Sequence, residues 1–177
     1  MIVVDMSYMY FRNVFAAQEF VRENPNVCAH LLINGLYSII DKFTVNKDNP
    51  LVAAFDCKRN GSWRWDYYTD HSKQFESYEN KTYKGHRVSN TSIPWKEVMF
   101  ILEDIKQWLR QSTDVLVLEH DKAEADDIIY VISKENEKKG KSTIIVSEDK
   151  DFVQLISPLT SLYKPKKDEM IVYCSDT

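Results

Sequence analysis

The stretch Ser147-Glu148-Asp149-Lys150-Asp151 sets three acids at the end of a β-branched run, Thr143-Ile144-Ile145-Val146. The pattern recurs along the chain. Ile2-Val3-Val4 runs into Asp5, Leu51-Val52-Ala53-Ala54-Phe55 into Asp56, and Val115-Leu116-Val117-Leu118 is followed by Glu119 and Asp121. Glu124-Ala125-Asp126-Asp127 then opens a helical pattern. In open parallel sheets ligands sit beyond the carboxyl ends of the strands, so these carboxylates share one edge. Each acid has an ordinary reading alone, as a turn residue or a partner for the positive end of a helix. Together they are costly, because two carboxylates about 4 Å apart repel by roughly 4 kcal/mol at an effective dielectric near 20. A cation or shared protons must offset that repulsion. Oxygen ligands without Cys or His select a hard ion, Mg²⁺ or Mn²⁺. An ion so held commonly serves phosphoryl transfer through activated water. Glu124 and Asp127, three residues apart, fall on one helix face, whereas Asp126 points elsewhere unless the first turn is irregular.

The elements that position these acids are legible in the apolar periodicity. The four apolar runs lack alternation, as befits strands of a parallel sheet covered on both faces. Between them, helical spacing is read over Val27 to Phe43, over Trp95 to Leu109 after Pro94, and over Ala123 to Lys139 with Gly140 as its stop. Alternating strands and helices predict an α/β sandwich with a mainly parallel central sheet and right-handed crossovers.

The chain has 177 residues, enough for one domain with a sizeable core. Hydrophobic residues make up 44% and charged residues 28%, and no apolar run approaches the roughly 20 residues that span a bilayer. The amino terminus meets Asp5 too soon for a signal peptide, so a cytoplasmic location is expected. Cys28, Cys57 and Cys174 are widely spaced and odd in number, as reduced thiols would be. The net charge of −4 argues against a polyanionic partner until the grouped carboxylates are set aside, after which the remaining surface is mildly basic.

One segment breaks the α/β rhythm. From about residue 57 to 93 the chain is long, polar and aromatic-rich where a crossover helix should lie. Lys58, Arg59, Arg64, Lys84 and Arg87 alternate there with Trp63, Trp65, Tyr67, Tyr68 and Tyr83, a mixture suited to single-stranded nucleic acid. The same aromatics could equally pack on the body of the domain.

Five stretches, in order, carry a resemblance: VVDMSYMYFR (Val3–Arg12), AFDCKRNGSWR (Ala54–Arg64), YKGHR (Tyr83–Arg87), EADD (Glu124–Asp127) and SEDKDF (Ser147–Phe152). Over nearly its whole length the chain resembles the 5′-nuclease (flap endonuclease) superfamily, most of all its phage ribonuclease H-type 5′→3′ exonucleases. The resemblance implies a PIN-like three-layer sandwich with an arch or gateway insertion over about 57–93. It implies metal ligands at Asp5, Asp56, Glu124, Asp126, Asp127, Asp149 and Asp151, for one or two Mg²⁺ ions that Mn²⁺ replaces. Asp56, Asp126 and Asp149 would then be catalytic through the metal, Lys84 an electrophile at the scissile phosphate, and Arg87 its clamp. Tyr83 would stack on the base near the cut. Lys58, Arg59 and Arg64 would bind or steer the strand, and Arg12 matches a position whose role is structural or functional. Glu119, Asp121 and Glu148 fall outside the family's set.

The implied activity is metal-dependent 5′→3′ exonuclease or flap endonuclease cleavage of DNA or RNA–DNA hybrid, as in primer or flap removal. Family members continue after LYKPKKDEMIVY into a helix–hairpin–helix module, and no Gly-Asp-x-x-Asp-Asn-like segment occurs before Thr177. The expectation is therefore a catalytic domain over 1–177 without that module, supplied instead by a separate polypeptide. The alternatives are a flap- or single-strand-binding subunit inactive without its partner, and a PIN-type endoribonuclease.

Overall fold

The computed structural model describes residues 1–58, 61–71, 83 and 91–174. Among them the apolar runs assemble a six-stranded sheet in the order β3-β2-β1-β4-β5-β6. The strands are β1 (Ile2–Asp5), β2 (Leu51–Ala54), β3 (Leu116–Leu118), β4 (Thr143–Val146), β5 (Thr160–Lys164) and β6 (Glu169–Ile171). Neighbours are parallel up to β5, and only the β5–β6 hairpin is antiparallel. The helices are α1 (Met6–Ala16), α2 (Gln18–Glu23), α3 (Val27–Phe43), α4 (Trp63–Asp70), α5 (Trp95–Ser112) and α6 (Ala125–Lys138).

Successive strand residues face opposite sides, which divides the core in two. Ile2, Val4, Leu51, Ala53 and Phe55 pack with α1, α2, α3 and α5. Val3, Val52, Ala54, Ile145 and Leu162 pack with Ala125 and Ile129 of α6 and with Phe152 and Leu155 of a 3₁₀ helix, Lys150–Leu155. The three-layer α/β sandwich expected from the sequence is present. Ile2, Val3 and Val4 are wholly buried, and each such side chain contributes about 1.5–3 kcal/mol of hydrophobic stabilisation.

The expected helices appear close to their predicted bounds. α5 runs further, to Ser112, and α6 begins at Ala125 with Glu124 as its cap. Gly140 stops α6 as expected: at φ 66° it adopts a left-handed conformation that a Cβ would strain, and Lys141 N–H returns to the Asn136 carbonyl at 2.9 Å. α1 and α2 escape a sequence reading. α1 buries Met6, Met9, Tyr10 and Val14, and the Tyr10 hydroxyl donates to the Val98 carbonyl at 2.6 Å, tying α1 to α5. β3 corrects the expectation of strands covered on both faces, since Leu116 is 50% and Leu118 39% exposed. α6 crosses over β1, β2 and β4, and β3 stands at the edge with one face toward solvent.

Of the insertion, the base is described. Ser62 Oγ accepts the Trp65 N–H at 3.3 Å and starts α4. Gly61 makes the close approach that docks this base on the loop before α6. A Cβ there would lie 2.9 Å from the Lys58 carbonyl oxygen and 3.0 Å from that of Asp121, both backbone atoms. Gly61→Ala is therefore expected to lower stability by about 1–3 kcal/mol, the usual range for overpacking. A urea midpoint shift reads this, and an unchanged midpoint would show that the two segments part freely.

Among the described residues no helix is long and apolar enough to cross a membrane. Among the described residues Cys28, Cys57 and Cys174 form no disulfide, in keeping with reduced thiols.

Candidate functional site: an acidic edge closed by an arginine

The sheet reverses its order of growth at β1, which pairs β2 on one side and β4 on the other. Such a switch point leaves a crevice beyond the strand ends. Asp5, the last residue of β1, lies there, 7% exposed. Its Oδ1 accepts the Tyr8 N–H at 3.0 Å and so caps α1, while the Ser147 hydroxyl approaches its Oδ2 at 3.4 Å. Ser147 also accepts the Asp149 N–H at 3.1 Å, linking the ends of β1 and β4. Asp56 joins the same edge from β2. Its N–H donates to Ser7 Oγ, and its Oδ1 accepts the Ala125 N–H at the start of α6, both at 2.8 Å. Asp149 caps the 3₁₀ helix by accepting the Asp151 N–H at 2.9 Å.

Electrostatics record the convergence. Burial, with Asp56, Asp126 and Asp149 adding to it, pushes the Asp5 carboxyl up to about 7, even though the Tyr8 N–H acts the other way. Asp126 is also raised, first by partial desolvation and then by Asp127 and Glu124, against Arg64. Among the described residues no lysine or arginine pairs with Asp5, Asp149 or Asp151. A groove of about 570 Å³ opens beside them, lined by Asp126, Asp127, Asp149 and Asp151 together with Arg64 and Lys134.

The expected carboxylate cage is not closed. Among the described residues no three His, Cys, Asp or Glu stand close enough together to hold a metal ion. Arg64 of α4 instead engages three of the expected ligands. Its Nη1 and Nη2 donate to the two oxygens of Asp127, each at 2.8 Å, and reach Asp126 at 3.2 and 3.4 Å and Glu124 at 3.4 Å. Asp127 also accepts the Glu124 N–H at 3.0 Å and the Trp63 Nε1–H at 3.1 Å. Partial burial works against the Arg64 charge, but Asp126, Asp127, Tyr83 and Glu124 outweigh it and hold the guanidinium more firmly protonated. Asp126 is nonetheless the residue of this turn whose charge Asp5 feels, alongside Asp56 and Asp149.

The donor chemistry fits a hard divalent cation: oxygen only, one carboxylate deeply buried, and mutual repulsion that a cation would relieve. Asp5, Asp56 and Asp149 lie at the strand ends, Asp126 and Asp151 line the adjoining groove with Asp149, and Glu124, Asp126 and Asp127 all meet Arg64. Tyr83 is also drawn in, its hydroxyl donating to Glu124 Oε2 at 3.1 Å. Lys58 is exposed at the base of the insertion. Arg59, Lys84 and Arg87 lie outside the described residues. Glu119 stays apart, as the resemblance implied: Lys106 at 2.7 Å and Arg110 at 3.1 Å hold its carboxyl below the ordinary range despite partial burial. Glu148 pairs with Arg12 at 3.6 Å. Sequence reasoning missed Ser7 and Ser147, both buried. Their signal was a small hydroxyl residue two positions from an acid, which is common in turns.

An α/β switch-point crevice lined with acids, with Arg64 of α4 beside it, is the setting of the site. Residues 1–176 match the family described as 5′-3′ exonuclease, N-terminal resolvase-like domain, and the chain belongs to that family. A 5′-3′ exonuclease of Buchnera aphidicola subsp. Schizaphis graminum is 24% identical over 172 residues, covering 96% of this chain and 53% of the relative. The ribonuclease H of Enterobacteria phage T4 is 26% identical over 132 residues, covering 75% of this chain and 40% of the phage protein. The chain thus spans about half the length of the curated relatives it matches. Its fold is that of the T5 5′-exonuclease, solved with bound divalent metal ions (zinc). That match has a TM-score of 0.66 at 14% identity, over 97% of this chain and 57% of the T5 protein.

Proposed function

We propose that this chain forms the catalytic core of a divalent-metal-dependent nuclease that removes nucleotides or flaps from 5′ ends of DNA or RNA–DNA hybrid. The observation that carries the reading is the placement of Asp5, Asp56 and Asp149 at neighbouring strand ends, Asp5 and Asp149 joined through Ser147 and Asp56 bound to the first turn of α6 that carries Asp126. Membership of a 5′-3′ exonuclease family and a relative named ribonuclease H point the same way.

Asp5, Asp56, Asp126, Asp149 and Asp151 would hold the ion, Mg²⁺ or Mn²⁺, with Glu124 joining once released from Arg64. A bound ion supplies an activated water and neutralises charge on the leaving oxygen. The caps keep the chain's own carboxylates in place: Asp5 is fixed by Tyr8 N–H, Asp56 by Ala125 N–H and Asp149 by Asp151 N–H. From the insertion, Lys84 would polarise the scissile phosphate, Arg87 would clamp it, and Tyr83 would stack on the adjacent base. Lys58, Arg59 and Arg64 would guide the strand.

The test is direct. The protein is incubated with Mg²⁺, Mn²⁺ or EDTA and three labelled substrates: a 5′-flap duplex, an RNA–DNA hybrid and single-stranded RNA. Metal-dependent release of products from the 5′ end of the flap or hybrid is the expected result. Cleavage confined to single-stranded RNA would replace the reading with an endoribonuclease. Tight flap binding without cleavage, in either metal, would reduce the chain to a binding subunit.

A further inference from the structure

The insertion grips the first turn of α6 unevenly. Arg64 holds Asp127 with a two-pronged contact at 2.8 Å, the short geometry of a strong charge-assisted pair. Asp127 is further fixed by the Glu124 N–H and the Trp63 indole, and its side chain is only 21% exposed. Asp126, by contrast, is held at 3.2 and 3.4 Å and its side chain is 52% exposed. The Trp63 ring lies 5.0 Å from the guanidinium carbon, and Lys122 pairs with Asp66 at 2.7 Å, so α4 is docked at this turn by further contacts beside Arg64. Among the described residues Arg64 thus pairs with three carboxylates, Glu124 included.

We propose that Arg64 is a metal-responsive latch: without a divalent ion its guanidinium ties the base of the insertion to Glu124, Asp126 and Asp127 of α6 and its cap, and ion binding loosens that hold by drawing Asp126 and Glu124 off the guanidinium, leaving Asp127 as its remaining carboxylate partner among the three. The inference rests on the metal-site reading above. Its physical basis is competition for the same oxygen lone pairs. A Mg²⁺-sized ion takes its ligands at about 2.0–2.1 Å, closer than any guanidinium contact, and outcompetes the longest pairs first. Asp127, bidentate and also capping the helix, has the most to lose and remains with Arg64. The seven acids therefore divide into ligands and a strut, with Asp127 the strut. Competing ligands are coupled reciprocally: whatever the ion takes from the latch, loss of the latch returns to the ion.

The experiment uses no nucleic acid. Free Mn²⁺ is counted by electron paramagnetic resonance during titration of the wild-type protein, Arg64→Ala and Arg64→Lys. Arg64→Ala is expected to bind Mn²⁺ about tenfold more tightly, with Arg64→Lys between it and wild type. Equal or weaker binding by Arg64→Ala overturns the latch. The reciprocal measurement needs no variant. Amide hydrogen exchange in residues 63–70 of the wild type, followed by mass spectrometry, is expected to speed up severalfold when Mn²⁺ saturates the protein. Unchanged or slower exchange there overturns the latch even if Arg64→Ala fails to fold. Absence of Mn²⁺ binding in wild type and variants alike would sink the metal-site reading itself, whereas bound Mn²⁺ indifferent to Arg64 sinks only the latch.

Discussion

The double variant Asp149→Asn, Asp151→Asn is expected to lose metal-dependent cleavage by on the order of 10³-fold, because a bound cation's charge stabilisation amounts to about several kcal/mol. The geometry makes this a clean experiment. Asp149 caps the 3₁₀ helix through one oxygen, accepting the Asp151 N–H at 2.9 Å, and the amide oxygen of Asn accepts the same bond. Asp151 is exposed, and its side chain makes no ion pair among the described residues. The fold should therefore stand while the charge that holds the ion disappears. Unfolding midpoints match the wild type in that case, and binding of a 5′-flap duplex persists or tightens as repulsion of phosphates falls. Cleavage surviving in the pure double variant would remove these carboxylates from the chemistry.

Asp5→Asn should raise the stability of the metal-free protein, and more so at high pH. The folded carboxyl titrates at about 7 against an ordinary 3.8, because burial and then Asp56, Asp126 and Asp149 disfavour its charge. The fold thus holds a proton that the unfolded chain has released. Stability falls as pH rises from about 4 to about 7, and the full penalty is present above that window. A tenfold difference in proton affinity between folded and unfolded chain is worth roughly 1.4 kcal/mol, so the penalty reaches about 4 kcal/mol at pH 8 as an upper bound. Asn removes the charge, can accept from Tyr8 N–H through its amide oxygen, and presents a donor to Ser147, so most of that penalty should return as stability. Urea unfolding in EDTA at pH 5 and pH 8 measures it, the larger gain falling at pH 8. Added Mn²⁺ should reverse the ranking, because the ion offsets the charge only in the wild type. An Asp5→Asn protein no more stable at pH 8 than the wild type would mean that the edge carries no such load.

That strain shows how a site can cost stability and still be built from sound local structure. Asp5, Asp56 and Asp149 each accept a backbone N–H at the start of a helix or 3₁₀ turn. The acids are ordinary caps taken singly, and only their common edge makes them unusual. The sequence showed this much because strand ends and helix starts are local events. Unbroken β-branched runs, the spacing in Val27–Phe43 and the stop at Gly140 all depend on neighbours within a few residues.

What local pattern could not supply was the partner of each charge. Arg64 reads equally well as a phosphate contact or a carboxylate contact, and the choice depends on α4 docking beside α6, sixty residues away along the chain. The exposed face of β3 likewise follows from where α6 crosses the sheet, since Val115–Leu118 is as apolar as the strands that end up covered. By itself, then, the amino-acid sequence determined the α/β elements, their order and the acids at their ends, because short-range sterics and apolar periodicity fix these. Tertiary structure alone decided that Asp5 sits buried among three other carboxylates and that Arg64 closes over the turn beside them. Both depend on distances between segments far apart in the chain, and Coulomb and desolvation energies are set by those distances.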